Sequence, residues 1–286
     1  MGQLSQWFAG LSLLGVILVV LISMLLASLA GYAIRRWEIR RAERRKEELE
    51  HSQETYLVGS ILGLLALLLA FSFSMALDRY EERRHLVIQE ANAIGTSYLR
   101  AQLLDEPHRS RLSQLLVRYT DNRIALASAE PGQLNDLLAI NDRLLTDLWA
   151  AVSASRDSAL ARGISTPLLM TFNEVIDLDT ERKVARLVRV PAPILLLLYG
   201  FLMLTALMLG YLLEDRRGRM EAAALFVLLS LYVSIIADLS RPTSGNILES
   251  QEPMLMLRAS LKAQPPPAFD RFGINQLSPA SAGAPR

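Results

Sequence analysis

The chain has 286 residues, 51% of them hydrophobic, and its 30 Lys and Arg against 29 Asp and Glu leave a net charge of +1. That balance points away from a polyanionic partner, nucleic acid included, and the mean hydropathy of +0.26 is high for a soluble protein. With no Cys and three scattered His (His51, His85, His108), disulfides and thiol chemistry are excluded, and neither a metal nor another cofactor is expected.

Residues 1–34 carry the first membrane element, a near-continuous apolar run from Phe8 to Ile34. It exceeds the ~20 residues a spanning helix needs, and it lacks the basic start of a signal peptide. Trp7 and Trp37 stand at its two ends, where interfacial aromatics belong. Residues 35–55 form a basic connector, RRWEIRRAERRKEELE followed by HSQET, with seven Lys and Arg between Arg35 and Lys46. It reads as a solvated helical collar laced with Glu/Arg pairs, and its charge predicts a cytoplasmic loop.

Residues 56–104 predict one long helix. Tyr56 to Leu77 is apolar and long enough to span, and the chain then turns charged at Asp78-Arg79-Tyr80-Glu81-Glu82-Arg83-Arg84 without a Pro to break it. Gly59 and Gly63 suit close helix approach. Residues 105–190 predict a helical bundle domain, each helix opening near a Pro (Pro107, Pro131, Pro167). Leu112, Leu115, Leu116 and Tyr119 mark one apolar face, and Leu144, Leu148 and Trp149 belong to another. Asp177, Asp179 and Glu181 are acidic, but on a helix they make no cation cage.

Residues 191–240 predict a second membrane pair, Pro193 to Leu213 and Glu221 to Leu239, joined by a connector carrying Arg216, Arg217 and Arg219. A turn and a short amphipathic helix follow over 241–263, and the Pro- and Ala-rich residues 264–286 predict a disordered tail. The fold class is therefore an all-α membrane protein: four transmembrane helices in two pairs with an intervening helical bundle domain. No Gly-rich phosphate loop, GxSxG or HExxH occurs, so the chain does not read as an enzyme.

Two stretches carry a resemblance. Leu69-Ala70-Phe71-Ser72-Phe73-Ser74 followed by Asp78-Arg79-Tyr80-x-Glu82-x-Arg84 resembles the second membrane helix of bestrophins. Over roughly residues 55–262 the chain is similar to the bacterial bestrophin-like family, through Glu90-Ala91-Asn92-Ala93-Ile94-Gly95-Thr96, Asp238-Leu239-Ser240-Arg241-Pro242-x-x-Gly245 and Glu252-Pro253. The resemblance implies a homo-oligomer, pentameric in bestrophins, in a cell inner (plasma) membrane, conducting small anions along its second membrane helix. Its neck positions fall on Gly63, Leu67 and Phe71, with Ser74 one turn nearer the exit. Leu67 and Phe71 suit a hydrophobic constriction, whereas a ring of Gly63 would widen the bore. Bestrophin calcium gating is not carried over, because the acidic cluster it needs is missing after the last membrane helix.

Simpler structural readings stand beside these. The Gly63–Ser74 face could be helix packing. Arg79, Glu82 and Arg84 are either pore-mouth charges or ordinary surface charges. Asp238, an expensive carboxylate at the end of the last span, pairs most naturally with Arg241 as a structural clamp. A non-conducting membrane scaffold or sensor, its helical domain binding a partner or ligand, is the competing function. The basic connectors place the bundle domain outside the cytoplasm, while the resemblance places it inside.

Overall fold

The computed structural model describes residues 12–45, 52–130, 132–213, 215–242 and 245–272. Trp7 and the start of the first apolar run therefore lie outside the described residues, as do residues 46–51 of the basic connector, Pro131 and the last part of the tail. Among the described residues the structure is helical, without a strand. The helices are α1 (Leu13–Arg45), α2 (Ser52–Ala101), α3 (His108–Ala127), α4 (Leu134–Ala154), α5 (Arg156–Ala161), α6 (Ser165–Leu187), α7 (Ala192–Leu212), α8 (Arg216–Leu239) and α9 (Glu252–Ala263). A 3-10 turn, Pro266–Phe272, follows them. Four helical segments are long and apolar enough to cross a membrane.

The chain divides into two compact units: Met1–Glu82 with Arg186–Leu248, and Arg83–Ala185 with Glu249–Arg286. The membrane unit is held by Val16, Val20 and Met24 of α1, Leu65 and Leu69 of α2, Leu198 and Leu202 of α7, and Phe226 and Ile236 of α8. Its tightest crossing lies between α1 and α7. A Cβ on Gly31 would fall 1.9 Å from the Leu207 carbonyl oxygen, and one on Gly210 would fall 1.9 Å from that of Ser28. Only glycine lets two helix backbones meet this closely. On α2, where the small residues Gly59 and Gly63 suggested such an approach, an added Cβ would meet nothing within 4 Å of its own chain.

In the helical unit, Leu112, Leu116 and Tyr119 of α3 pack with Leu144 and Leu148 of α4, Phe172 and Val175 of α6, and Met254 and Leu261 of α9. The expected α3 face is thus buried, while Trp149 stays 42% exposed. Gly163, at φ +69°, ends α5: its N–H donates to Leu160 O and that of Ile164 to Ala159 O, each at 3.0 Å. This six-to-one closure needs a left-handed residue. The tail expected to be disordered from residue 264 is ordered through 272. The Tyr98 hydroxyl donates to Gln264 O at 2.8 Å, Arg109 pairs with Asp270 at 2.8 Å, and Phe269 packs near the Tyr98 ring. Composition carries no trace of these contacts, because their partners lie far away in sequence.

Candidate functional site

Helix α2 divides its sides sharply within the membrane unit. Val58, Ile61, Leu65, Leu69, Ser72 and Ala76 are buried, at the three- and four-residue spacing that makes one helical stripe. Leu68 is partly buried against the same core, and the Phe73 ring stands 5.7 Å from that of Tyr232 on α8. On the other side Leu67 is 52% exposed and Phe71 63% exposed, and Gly63 and Ser74 are exposed too. The four residues singled out from sequence therefore share one exposed, mostly apolar face.

Where α2 becomes charged, Arg79 Nη1 lies 2.9 Å from Glu82 Oε2, and both side chains are largely in solvent. Such a pair contributes little to stability, so its effect is on the local field. Asp78 and Glu81 are also exposed. Arg84 lines an open groove of about 970 Å³ in the helical unit, with Asn92 and Thr96 of α2 and Glu252 and Met256 of α9. Arg83, its sequence neighbour, is buried and ion-paired to Glu249.

The turn after α8 is built on Asp238, which is 3% exposed. Its Oδ1 accepts the Asn246 N–H at 2.9 Å, and Oδ2 accepts those of Asn246 at 3.1 Å and Ile247 at 3.0 Å. Gly245 is where the chain passes the carboxylate, and a Cβ there would lie 2.9 Å from both Asp238 O and Oδ1. Arg241 is buried on the same turn, and its backbone N–H donates to Asp238 O at 3.0 Å. What sequence suggested as a side-chain pair thus includes a carboxylate holding two backbone amides, with glycine required for the approach.

The helical unit contains a polar centre to which the sequence reading gave no role, although its hub Glu90 opens one of the family stretches. Glu90 of α2 is fully buried, and its Oε1 lies 2.8 Å from Arg123 Nε and accepts the Tyr119 hydroxyl at 2.7 Å. Arg182 of α6 pairs with the other carboxylate oxygen. Arg123 Nη1 continues to Asp179 Oδ1 at 3.0 Å. Asn141 donates to that same oxygen at 2.9 Å, and Lys183 Nζ lies 2.8 Å from Asp179 Oδ2. Two buried acids and two buried arginines thus neutralise one another, and Lys183 and Asp142 extend the chain of pairs to the surface. Burial, then the adjoining Glu90 charge, raise the Tyr119 phenol well above its ordinary range. Burial opposes the Arg123 charge, but Glu90 first and then Tyr119 and Asp179 outweigh it and raise its pKa. Asp179, one of the three acids considered for a cation, is occupied by this network. Among the described residues no group of three or more metal-ligating side chains comes together. The available signal was Glu90 itself, an acid opening the small-residue family stretch EANAIG.

Residues 21–254 match the Bestrophin-like domain family, and the chain belongs to that family. Its fold is that of a bacterial Bestrophin homolog from Klebsiella pneumoniae. One crystal structure, of a substituted form, matches with a TM-score of 0.62 at 17% identity, over 86% of this chain and 96% of the other. Another, phased on zinc, matches with a TM-score of 0.58 at 20% identity, over 85% and 97%. No curated protein matches.

Proposed function

We propose that the chain forms a homo-oligomeric ion channel of a cell inner (plasma) membrane, with Gly63, Leu67, Phe71 and Ser74 of α2 facing the axis and Arg79, Glu82 and Arg84 at its mouth. The observation that carries this reading is the split surface of α2. A helix packed through Val58, Leu65, Leu69 and Ala76 leaves Leu67 and Phe71 52% and 63% exposed on its other side. Copies arranged about an axis would turn this face into rings, and a narrow apolar ring holds ions back by making dehydration unfavourable. Gly63, with open space at its Cβ position, would leave the bore wider there. Family likeness supports small anions as the permeant species and five subunits as the assembly. The exposed Asp78 and Glu81, with Arg79 held by Glu82, favour cations instead, since acidic rings select for them.

The test is the oligomeric mass of the purified protein, followed by flux in proteoliposomes under chloride and sodium gradients. A symmetric particle with its axis along residues 56–77 and a gradient-dependent flux is the expected result, and the reversal potential assigns the ion. A strict monomer or dimer overturns the channel reading. A symmetric oligomer without flux of either ion points to the non-conducting scaffold.

A further inference from the structure

The two basic connectors, which a channel axis on α2 leaves without a role, converge in the membrane unit. The guanidinium carbon of Arg36 on α1 lies 5.5 Å from the centroid of the Tyr32 ring, and that of Arg219 on α8 lies 5.0 Å from the same centroid. Both arginines are exposed. Two like charges drawn onto one ring repel each other, and the ring face offsets only part of that. Among the described residues the neighbouring carboxylates have other partners. Glu38 accepts the Tyr211 hydroxyl, Asp215 accepts the Gly218 N–H at the start of α8, and Glu221 pairs with Arg217 at 3.3 Å. Among the described residues neither Arg36 nor Arg219 has a carboxylate within ion-pair distance.

We propose that Tyr32, Arg36 and Arg219 form a binding site for the phosphate of an anionic phospholipid. An anion bridging the two guanidiniums removes their repulsion, and guanidinium forks match phosphate oxygens. The lipid, rather than a free phosphate, is indicated by the surroundings. The apolar run of α1 ends at Ile34, two residues before Arg36, and Trp37 is 59% exposed beside it, with Arg41 stacked 5.2 Å from its ring. That is the composition of a headgroup layer. Leu29, seven residues before Arg36 and so on its face of α1, and Met220, next to Arg219, are 62% and 66% exposed, offering acyl chains apolar surface next to the charges.

The experiment is native mass spectrometry of the full-length protein, delipidated and then titrated with phosphatidylglycerol, with phosphatidylcholine in parallel. Phosphatidylglycerol is expected to bind and phosphatidylcholine to be retained far less. Each guanidinium placed on the lipid phosphate should contribute about fivefold to affinity, so Arg36→Gln with Arg219→Gln should weaken binding about 25-fold. The double Lys variant keeps most of the affinity, and Arg217→Gln leaves it unchanged. If the double Gln variant fails to fold, Arg219→Gln alone, at its exposed position, should show the fivefold loss. Equal retention of phosphatidylglycerol by the Gln variants and the parent overturns the site. So does equal binding of phosphatidylcholine, or displacement of the lipid by millimolar inorganic phosphate, which would make this a site for a soluble anion. None of these outcomes depends on whether the protein conducts ions.

Discussion

Arg123 Nε stands 2.8 Å from Glu90 Oε1 in the interior of the helical unit, with 4% and 0% of the two side chains exposed. Removing one partner from such a pair strands the other charge away from water. Glu90→Leu strands Arg182 and leaves Arg123 with Asp179 alone, and it should destabilise the unit by about 3–5 kcal/mol. Asp142→Ala, at a side chain 67% exposed, should cost under about 1 kcal/mol. Denaturant melts of the two variants check this, and equal midpoints would show that the buried network contributes little.

Tyr119 adds a pH dependence to the same centre. Burial and the Glu90 charge raise its folded pKa well above the ordinary value, so the folded protein keeps a proton that the unfolded chain releases at about pH 10. Stability from this group is complete below about pH 10 and is lost as pH rises past it. Tyr119→Phe has nothing to ionise there. Its melting temperature should fall less steeply than the parent's above pH 10, whereas parallel curves would show that the phenol is not the group responsible.

The α1–α7 crossing depends on glycine. Gly210→Ala places a methyl group 1.9 Å from the Ser28 carbonyl oxygen, and separating the helices should cost about 1–3 kcal/mol or more. Gly200, on the same α7, has nothing within 4 Å of its Cβ position, so Gly200→Ala should be neutral or slightly stabilising. Thermal midpoints in one detergent compare the two variants directly, and identical shifts would refute the crossing.

Asp238→Ala removes the acceptor for the Asn246 and Ile247 N–H groups. Hydrogen bonds to a charged group are worth about 1.5–3 kcal/mol each, so the variant should lose thermal stability and assembly well beyond Arg216→Ala. Gly245→Ala, whose Cβ would press on the same carboxylate, should behave like Asp238→Ala. A mild Asp238→Ala phenotype, no larger than that of Arg216→Ala, would dismiss the clamp.

The exposed face of α2 gives the functional prediction. Phe71→Ala widens the proposed ring and Leu67→Ser makes it polar, and both should raise resting ion leak per folded oligomer. Leu68, about 100° round the helix from Leu67 and packed against the membrane core, should affect stability alone when changed to Ala. If all three variants only destabilise, the face is a packing surface.

Hydropathy determined the four spans and the helical class, because a bilayer admits few ways of satisfying a backbone and each leaves a long apolar run. The length of α2 was legible too: no Pro falls between Ser52 and Ala101, and the helix runs between them. Gly63, Leu67, Phe71 and Ser74 recur at helical spacing, so sequence could propose them as one face. Tertiary structure alone decided what each polar or small residue meets. Arg83 and Arg84 are adjacent in one charged run, yet one is buried against Glu249 and the other is exposed in a groove. Gly59 and Gly63 looked like the packing glycines, while the backbone contacts formed at Gly31 and Gly210. Glu90 met Arg123 and Arg182, and Arg36 and Arg219, from two different helices, both met the Tyr32 ring. A helical period says which residues share a face; the partner of that face comes from another helix far along the chain, and only packing brings the two together.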